Sequence, residues 1–199
     1  VFADTTISEY GLYAFTQQSI AEKLTLNAGL RYQNHSTYGG EWIPSVGFAY
    51  DLGKLTIWRG TVSKGFRSPT IRELFMWGPN PNLRPETVWN YETGFSKTFF
   101  NQKMNAELTF YIVEGDNLIV NVGPPDGFQN TGEISNKGIE FALNAAPTKN
   151  LKVNMTYSYI NMKTPVYATP EHHLFLNANY RIKKLLLTAN IQQVSNLDN

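Results

Sequence analysis

Apolar and polar residues alternate over long stretches of this chain, and this alternation constrains the fold more than any other feature. The clearest stretches lie at about 24–32, 104–112, 139–145, 151–159 and 174–182, with noisier ones at 7–18, 43–52, 54–65, 86–98 and 185–195. A period of two residues is typical of a β-strand whose two faces meet different surroundings. The pattern predicts an all-β chain of about ten antiparallel strands, and no amphipathic helix is evident.

The predicted strands are long, many of them 9–12 residues. Strands of globular proteins average about five or six residues, whereas a tilted strand that spans a bilayer needs about 9–11. The alternation and the strand lengths together favour an antiparallel transmembrane β-barrel.

The connections between the strands form two classes. Short connections at 19–23, 51–54, 99–102, 147–150 and 181–184 alternate with long ones at 35–42, 67–85, 115–132 and 161–170. Successive antiparallel strands place alternate connections at opposite ends of a sheet. One end should therefore carry tight turns and the other long loops, as in outer-membrane barrels.

Composition excludes several other classes of protein. The net charge of +1 gives no electrostatic case for nucleic-acid binding, and the absence of cysteine removes disulfides and thiolate chemistry. His172 and His173 are adjacent and should point to opposite faces of a strand, so they cannot share a metal. Common catalytic motifs are absent, and we predict no catalytic residue, no metal site and no cofactor; the protein is not expected to be an enzyme.

The most distinctive stretch runs from Ser63 to Gly94, SKGFRSPTIRELFMWGPNPNLRPETVWNYETG. Its core consists of Phe66, Arg67 and Pro69, followed by Asn80, Pro81, Asn82, Leu83, Pro85 and Glu86. This stretch, with NTGEISNKGIEFALNAAP at 130–147 and the strand succession at 156–181, strongly resembles the TonB-dependent receptors of Gram-negative outer membranes.

The resemblance implies a partner set and a location. Such receptors are barrels of about 22 strands with an N-terminal plug in the lumen. They import a metal chelate or a cobalamin-like nutrient, driven by the TonB energy-transducing complex through a TonB box, and they sit among outer-membrane lipids. We therefore expect residues 1–199 to be one partial barrel domain, interior to C-terminal and incomplete at both ends, with the plug encoded upstream.

The motif residues have a structural interpretation beside the functional one. The prolines of NPNLRPE fix φ and push their preceding residues towards extended geometry, so the segment should be a rigid entry into a strand. Arg67, Arg72, Glu73, Arg84 and Glu86 are expected to pair with one another or with the barrel wall, the alternative being direct contact with a ligand. Gly138 would permit a bend or bulge in its strand.

The identity of the ligand is the least determined part. Residues 70–79 contain no histidine, whereas the haem receptors that this stretch resembles usually have one between the two motifs, and this counts against axial ligation of haem. The compact spacing between the motifs more nearly resembles that of siderophore and cobalamin receptors. Candidate extracellular contacts are the loop residues Met76, Trp77, Phe128 and Tyr167, and packing between loops is the alternative for each. A passive porin, a haem receptor and a soluble β-sandwich remain as other hypotheses.

Overall fold

The computed structural model describes residues 6–76, 78–164 and 169–197. Within them, ten strands form one antiparallel sheet in which each strand pairs with the next along the chain. The strands are β1 (Glu9–Ile20), β2 (Leu24–His35), β3 (Gly39–Gly53), β4 (Thr56–Arg67), β5 (Glu86–Phe99), β6 (Met104–Asn121), β7 (Phe128–Thr148), β8 (Leu151–Met162), β9 (Pro170–Ile182) and β10 (Leu185–Leu197). The predicted all-β class is confirmed.

The sheet is open rather than closed. In the described part of the chain β1 pairs only with β2 and β10 only with β9, so each leaves one edge without a neighbour. An unpaired edge of this length exposes backbone donors and acceptors that a barrel would satisfy with further strands.

One face of the sheet is apolar from β2 to β9. A single cross-strand row runs through Leu24, Tyr50, Trp58, Phe95, Leu108, Phe141, Tyr157 and Leu174. Many side chains of this face are exposed, among them Val46 at 54% and Ile191 at 57%. The described strands pack no second sheet against it, and an apolar face exposed along its length suits lipid.

The opposite face is polar. Asn105, Asn144, Asn154, Asn177 and Asn190 form one register row across β6 to β10. Asn154 Nδ2 donates to Asn177 Oδ1 at 3.1 Å, and Asn177 Nδ2 donates to Asn190 Oδ1 at 2.7 Å. In a barrel this polar face lines the lumen. We call it the lumen face from here on.

On the lumen face, the contacts of Arg59 with β6 depend on a glycine in the strand between them. Arg59, Gly94 and Thr109 are register partners on three neighbouring strands. Arg59 Nη2 donates to Thr109 Oγ1 at 3.1 Å and forms an ion pair with Glu107. Because Gly94 has no side chain, the arginine can reach across β5 to β6.

Two connections are shorter than the sequence predicts. The expected loop 35–42 shrinks to 36–38, because β3 already begins at Gly39. The expected loop 115–132 is mostly strand: β6 continues to Asn121 and β7 begins at Phe128, with register shifts between Gly115 and Ile119. Register shifts of this kind interrupt the alternation of apolar and polar residues, so the sequence pattern predicts the end of β6 before its actual end at Asn121.

Gly138 does not mark a bulge. It pairs regularly with Tyr111 on one side and Ile160 on the other, and the register shift between β7 and β8 lies between Ala145 and Thr148 instead. A side chain at Gly138 would overlap the Tyr111 ring. The glycine therefore makes room for an aromatic residue of the neighbouring strand.

One short helix, α1 (Ile71–Phe75), interrupts the long connection between β4 and β5. None of the helices in the described ranges is long and apolar enough to cross a membrane.

Candidate functional site at the loop end of the sheet

Arg67 joins three elements at the loop end of the sheet. It is the last residue of β4, and its guanidinium forms a bidentate pair with Glu86, the first residue of β5, at 2.6 and 2.7 Å. The same guanidinium contacts both oxygens of Glu73 in α1 at 3.0 and 3.1 Å. Of the five charged residues expected to pair with one another or with the barrel wall, these three pair with one another, and the planar guanidinium fork suits two carboxylates at once.

Glu73 is held in place by the start of its own helix. Thr70 is the N-cap, and it forms a capping box in which Glu73 N donates to Thr70 Oγ1 at 3.3 Å and Thr70 N donates to Glu73 Oε2 at 2.7 Å. The carboxylate that caps α1 is thus the one that binds Arg67.

Glu86 extends the cluster to the next hairpin. Its Oε1 accepts a hydrogen bond from the backbone N of Ile119 at 2.8 Å, within the irregular part of β6. We call Arg67, Glu73 and Glu86 the arginine clamp. It ties β4, α1, β5 and β6 together beyond the apolar band.

The carboxyl groups of the clamp have lowered pKa values. Partial burial opposes ionisation of Glu73, but hydrogen bonds from Arg67 and Thr70 outweigh it, so the pKa of Glu73 lies below its ordinary 4.5. Hydrogen bonds from Arg67 also lower the pKa of Glu86 below 4.5, against partial burial. Both groups are therefore held as carboxylates at neutral pH.

The NPNL segment turns the chain into β5. Asn80 Oδ1 accepts from Asn82 N at 3.0 Å, an Asx turn, while Asn80 O accepts from Leu83 N at 3.3 Å. Asn80 Nδ2 donates to the backbone oxygen of Phe128 at 2.9 Å. The first asparagine of the motif thus shapes the turn and fastens it to the start of β7.

Asn130 on β7 holds the second half of the same segment. Its Oδ1 accepts from Arg84 N at 2.8 Å, and its Nδ2 donates to Arg84 O at 2.9 Å and to Asn117 O at 2.6 Å. A side-chain amide here satisfies backbone groups as a neighbouring strand would.

A small apolar cluster lies beneath these polar contacts. Leu74 and Leu83 are 0% and 2% exposed, the most buried hydrophobic side chains in the described part of the chain. Pro69 and Pro85 are buried as well. The connection 68–85 is therefore packed, with its own core, rather than freely moving.

Two glycines let the β6–β7 hairpin approach this connection. Gly127 (φ +64°) is buried and lies against the backbone of Gly78 (φ +87°). A Cβ on Gly127 would overlap the Gly78 carbonyl, whereas one on Gly123 in the same hairpin would meet nothing within 4 Å. Only glycine fits this close contact without strain.

A second polar cluster joins the β2–β3 turn to the FRSP motif. The Tyr38 hydroxyl is hydrogen-bonded to Ser68 Oγ at 2.5 Å. The Tyr38 ring stacks on the ring of His35, which is buried. Burial raises the pKa of Tyr38, and Glu9 and Glu41 add to the rise. His35 Nδ1 accepts from Thr37 N, so this histidine has a structural role.

The four candidate ligand contacts have different placements. Met76 ends α1 and is half-buried, and Phe128 is the half-buried first residue of β7 rather than a loop residue. Trp77 and Tyr167 lie outside the described residues. Met76 and Phe128 stay predictions as ligand contacts.

Several residues that build the site were not found from the sequence. The T-x-x-E spacing of Thr70 and Glu73 is a recognisable capping-box signal. Asn130, Ile119 and Gly127 give no local signal, since their contacts join positions far apart in the chain. In the described ranges no group of three His, Cys, Asp or Glu side chains could hold a metal ion.

The long strands, the apolar outer face, the polar lumen face and the packed loop end together define part of a transmembrane β-barrel. Among known families, "TonB dependent receptor-like, beta-barrel" matches residues 1–195. The chain belongs to this family, whose members are outer-membrane transporters of Gram-negative bacteria and not enzymes.

Relatives and solved structures agree with this assignment. The chain is 28% identical to the iron-regulated outer membrane virulence protein of Vibrio cholerae, over 81% of this chain and 29% of that protein. It is 29% identical to the vitamin B12 transporter BtuB of Photobacterium profundum, over 67% of this chain and 23% of that protein. The siderophore receptor PirA of Pseudomonas aeruginosa shares the fold, with a TM-score of 0.81 and 22% identity over 94% of this chain and 38% of PirA.

The chain therefore spans less than a third of the length of these two relatives.

Proposed function

We propose that this chain is part of the barrel of a receptor that imports a ferric siderophore or a cobalamin-like ligand, driven by TonB. Family membership carries this proposal, and the relatives named above include an iron-regulated protein and a vitamin B12 transporter. The loop end would face the outside and the turn end the periplasm. The remaining strands, the plug and the TonB box would belong to the rest of the protein.

The close packing of the loop end supports a role for this end of the sheet in binding the ligand. Ligand affinity is higher when the loops that contact the ligand are ordered beforehand, because less conformational entropy is lost on binding. The arginine clamp and the Gly78–Gly127 contact order the connection 68–85 and the hairpin 122–127. Met76 lies in the first of these segments, Phe128 directly follows the second as the first residue of β7, and both are our candidate ligand contacts.

Uptake by the full-length receptor tests the function. The receptor is expressed in cells that lack their own iron-siderophore and cobalamin receptors, and uptake of a panel of radiolabelled ferric siderophores and of cobalamin is measured. We expect uptake of one ligand class, lost on deletion of TonB while binding at the cell surface persists. Uptake that continues without TonB would support a passive channel instead, and exclusive uptake of haem would support a haem receptor.

Binding by variants tests the proposed contacts. Met76→Ala and Phe128→Ala should each weaken binding of the transported ligand several-fold, because each removes apolar contact area. Val122→Ala, at a side chain in the same hairpin that is 47% exposed, is the control and should bind like the wild type. Equal affinities in all three variants would assign Met76 and Phe128 to packing between loops.

A further inference from the structure

Positive charge is concentrated at the turn end of the sheet. The turns and adjoining strand ends carry Lys23, Lys54, Lys97, Lys103, Lys149, Lys152, Arg181, Lys183 and Lys184, against only Glu22 and Asp51. All of these basic side chains are exposed, and none of them forms an ion pair with a carboxylate of the described residues. A charge excess of this kind attracts anionic groups at a membrane surface.

One of these lysines belongs to the outward face. Lys97 pairs in register with Thr56 on β4 and with Ala106 on β6, at a position that alternates with those of the lumen face. Both neighbours are small, and the lysine side chain is exposed. Its Nζ lies 5.2 Å from the centroid of the Phe99 ring, which is an aromatic residue of the same face. Lys97 thus presents its charge where the outward face meets the lipid headgroups.

Two more lysines flank Lys97. Lys54 lies in the turn between β3 and β4, and Lys103 lies in the turn between β5 and β6. Thr98 N donates to Leu55 O at 3.0 Å, so β5 is fastened to the turn that carries Lys54. We call Lys54, Lys97 and Lys103 the lysine trio.

An apolar groove lies on the same face, further from the turns. One register row there consists of Leu26, Phe48, Gly60, Thr93 and Phe110. Gly60 and Thr93 are small, and the Phe48 ring lies over Gly60 where a side chain would otherwise stand. The groove formed by this row has a volume of about 410 Å³. Its walls are completed by apolar and aromatic outward residues: Val46, Trp58, Val62, Tyr91 and Ile112.

The indole of Trp58 forms the end of the groove nearest the turns. Its Nε1 donates to Thr93 Oγ1 at 2.9 Å, and that hydroxyl donates to Arg59 O at 3.1 Å. The ring meets Phe48 edge-on at 4.7 Å between centroids and stacks on Phe95 at 6.2 Å. Because the N–H of Trp58 is satisfied within the protein, the indole offers a fixed apolar surface to a chain in the groove.

The spacing between the groove and the lysine trio matches one leaflet of a bilayer. Thr93 in the groove and Lys97 lie four residues apart on β5, which is about 13 Å along the strand. Half of the hydrocarbon core of a bilayer is about 15 Å thick. A lipid whose phosphate meets Lys97 therefore carries its acyl chain past Trp58 and into the groove.

We infer that the lysine trio and this groove bind one anionic phospholipid of the periplasmic leaflet, with its phosphate at the trio and an acyl chain in the groove. This inference rests on the proposed function, since the turn end must face the periplasm. It goes beyond the general contact of the outward face with lipid, because a lipid that only covers that face exchanges freely and does not distinguish between headgroups. Here the three charges select the headgroup and the groove holds the chain.

The position of the trio assigns the leaflet. Lipids of the outer leaflet place their headgroups at the loop end, across the apolar band from Lys97. A zwitterionic headgroup balances its phosphate with its own ammonium group and gains less from three lysines. The site should therefore favour a phospholipid with net negative charge.

Native mass spectrometry of the full-length receptor tests the selection of the headgroup. The delipidated receptor in mild detergent is mixed with equal amounts of phosphatidylglycerol and phosphatidylcholine, which differ in net charge and can carry identical chains. We expect one phosphatidylglycerol per receptor, retained at least several-fold over phosphatidylcholine. Equal retention of the two lipids, or retention of neither, would overturn the inference.

Photo-cross-linking tests the position of the chain. The receptor is reconstituted in vesicles that contain phosphatidylglycerol with a diazirine on its acyl chain, and mass spectrometry locates the label. We expect more label on Tyr91 or Phe110 than on Met155 and Leu176, which are outward residues of β8 and β9. Equal labelling of the four residues would mean that lipid only covers the face, and so would overturn the inference.

A matched pair of triple variants tests the charge. The first removes the lysine trio: Lys54→Gln, Lys97→Gln and Lys103→Gln. The second removes three lysines from the other turns and changes the net charge equally: Lys23→Gln, Lys149→Gln and Lys183→Gln. Only the first should lose the selective retention of phosphatidylglycerol, and equal loss in both would assign the selectivity to overall charge and overturn the inference.

A second pair of variants tests the groove. Val46→Phe puts a larger side chain into the groove, whereas Ile191→Phe enlarges a similarly exposed outward side chain of β10. Folding of both is checked by heat-modifiable migration in a gel. Val46→Phe should retain several-fold less phosphatidylglycerol than Ile191→Phe, and equal retention would contradict the position of the chain.

Uptake and lipid retention together separate this inference from the proposed function. TonB-dependent uptake by a wild type that shows no selective retention of phosphatidylglycerol would leave the proposed function and overturn only this inference. Selective retention by a wild type without TonB-dependent uptake would overturn the proposed function and leave the lipid site.

Discussion

At the scale of single residues, Arg67 has the most connections at the loop end. It binds two carboxylates from different elements, and Glu86 binds a third element through Ile119 N. Exposed ion pairs contribute little one by one, about 0–1 kcal/mol, but a guanidinium with two carboxylates also fixes geometry. The clamp should therefore matter more for the order of the connection 68–85 than for overall stability.

Arg67→Gln should loosen this connection without unfolding the barrel. Trypsin cleavage after Arg72, an exposed residue of α1, should become faster, because Glu73 and Glu86 lose their shared partner. In Arg67→Lys the rate of cleavage after Arg72 should lie between those of the wild type and of Arg67→Gln, because lysine keeps the positive charge but lacks the planar guanidinium that binds two carboxylates. Cleavage after Lys163, in a different loop, is the internal control, and an unchanged rate after Arg72 would contradict the role of the clamp.

The clamp should also respond to acid. The pKa values of Glu73 and Glu86 are lowered in the folded protein, so their contribution is fully present above about 4.5 and is lost as the pH falls through their lower, folded values. A dye on the single cysteine of Asp126→Cys should report loosening of the loop end below pH 4.5. In the Arg67→Gln background this acid-dependent step should be much smaller, and an equal step in both would refute its assignment to the clamp.

At the scale of elements, contacts between connections position the loop end. The hairpin between β6 and β7 touches the connection 68–85 at Gly127, Phe128 and Asn130. Each element alone would be an ordinary loop, and together they form a packed surface with Leu74 and Leu83 beneath.

Gly127→Ala and Gly123→Ala form a matched pair at this contact. Both glycines have positive φ, so each alanine costs about 1–2 kcal/mol of backbone strain. Only the alanine at 127 also collides with Gly78. Gly127→Ala should bind the transported ligand more weakly than Gly123→Ala, and trypsin should cleave it faster in the connection 68–85. Equal affinities and equal cleavage rates in the two variants would mean that the contact with Gly78 does not order this connection.

At the scale of the whole molecule, the two faces of the sheet determine where it can reside. The outward face exposes apolar side chains along nearly every strand, and the lumen face carries asparagines and charged groups. A protein of this kind is stable only where lipid covers one face.

Lysine substitutions at adjacent positions of β8 test this two-faced design in the full-length receptor. Met155 lies midway along the outward face, where a lysine costs about 2–4 kcal/mol near the bilayer centre. Thr156 is exposed on the lumen face near Glu140, where a lysine should be tolerated. Met155→Lys should lower the yield of heat-modifiable, folded receptor far more than Thr156→Lys, and equal yields would contradict the assignment of the faces.

The sequence by itself determined the strands, their alternating faces and the tight turns at one end of the sheet, but of the long loops predicted at the other end, 35–42 is a turn of three residues and 115–132 is mostly strand. The strands and their faces follow from a period of two residues, which is a local property that neighbouring positions display directly. The motif residues were also visible, and their charged side chains were expected to pair with one another or with the barrel wall, but the specific pairing of Arg67 with Glu73 and Glu86 came from the structure. The sequence placed Phe128 in a loop and ended β6 too early, because register shifts near Gly115 hide the alternation.

Only the tertiary structure decided which connections touch. The contacts of Asn130 with Arg84, of Glu86 with Ile119 N, and of Gly127 with Gly78 join segments 33 to 49 positions apart. The groove beside Gly60 likewise needs the register of β4 with β3 and β5. Such contacts depend on strand register and sheet twist, which arise from the whole sheet and leave no periodic signal in the sequence.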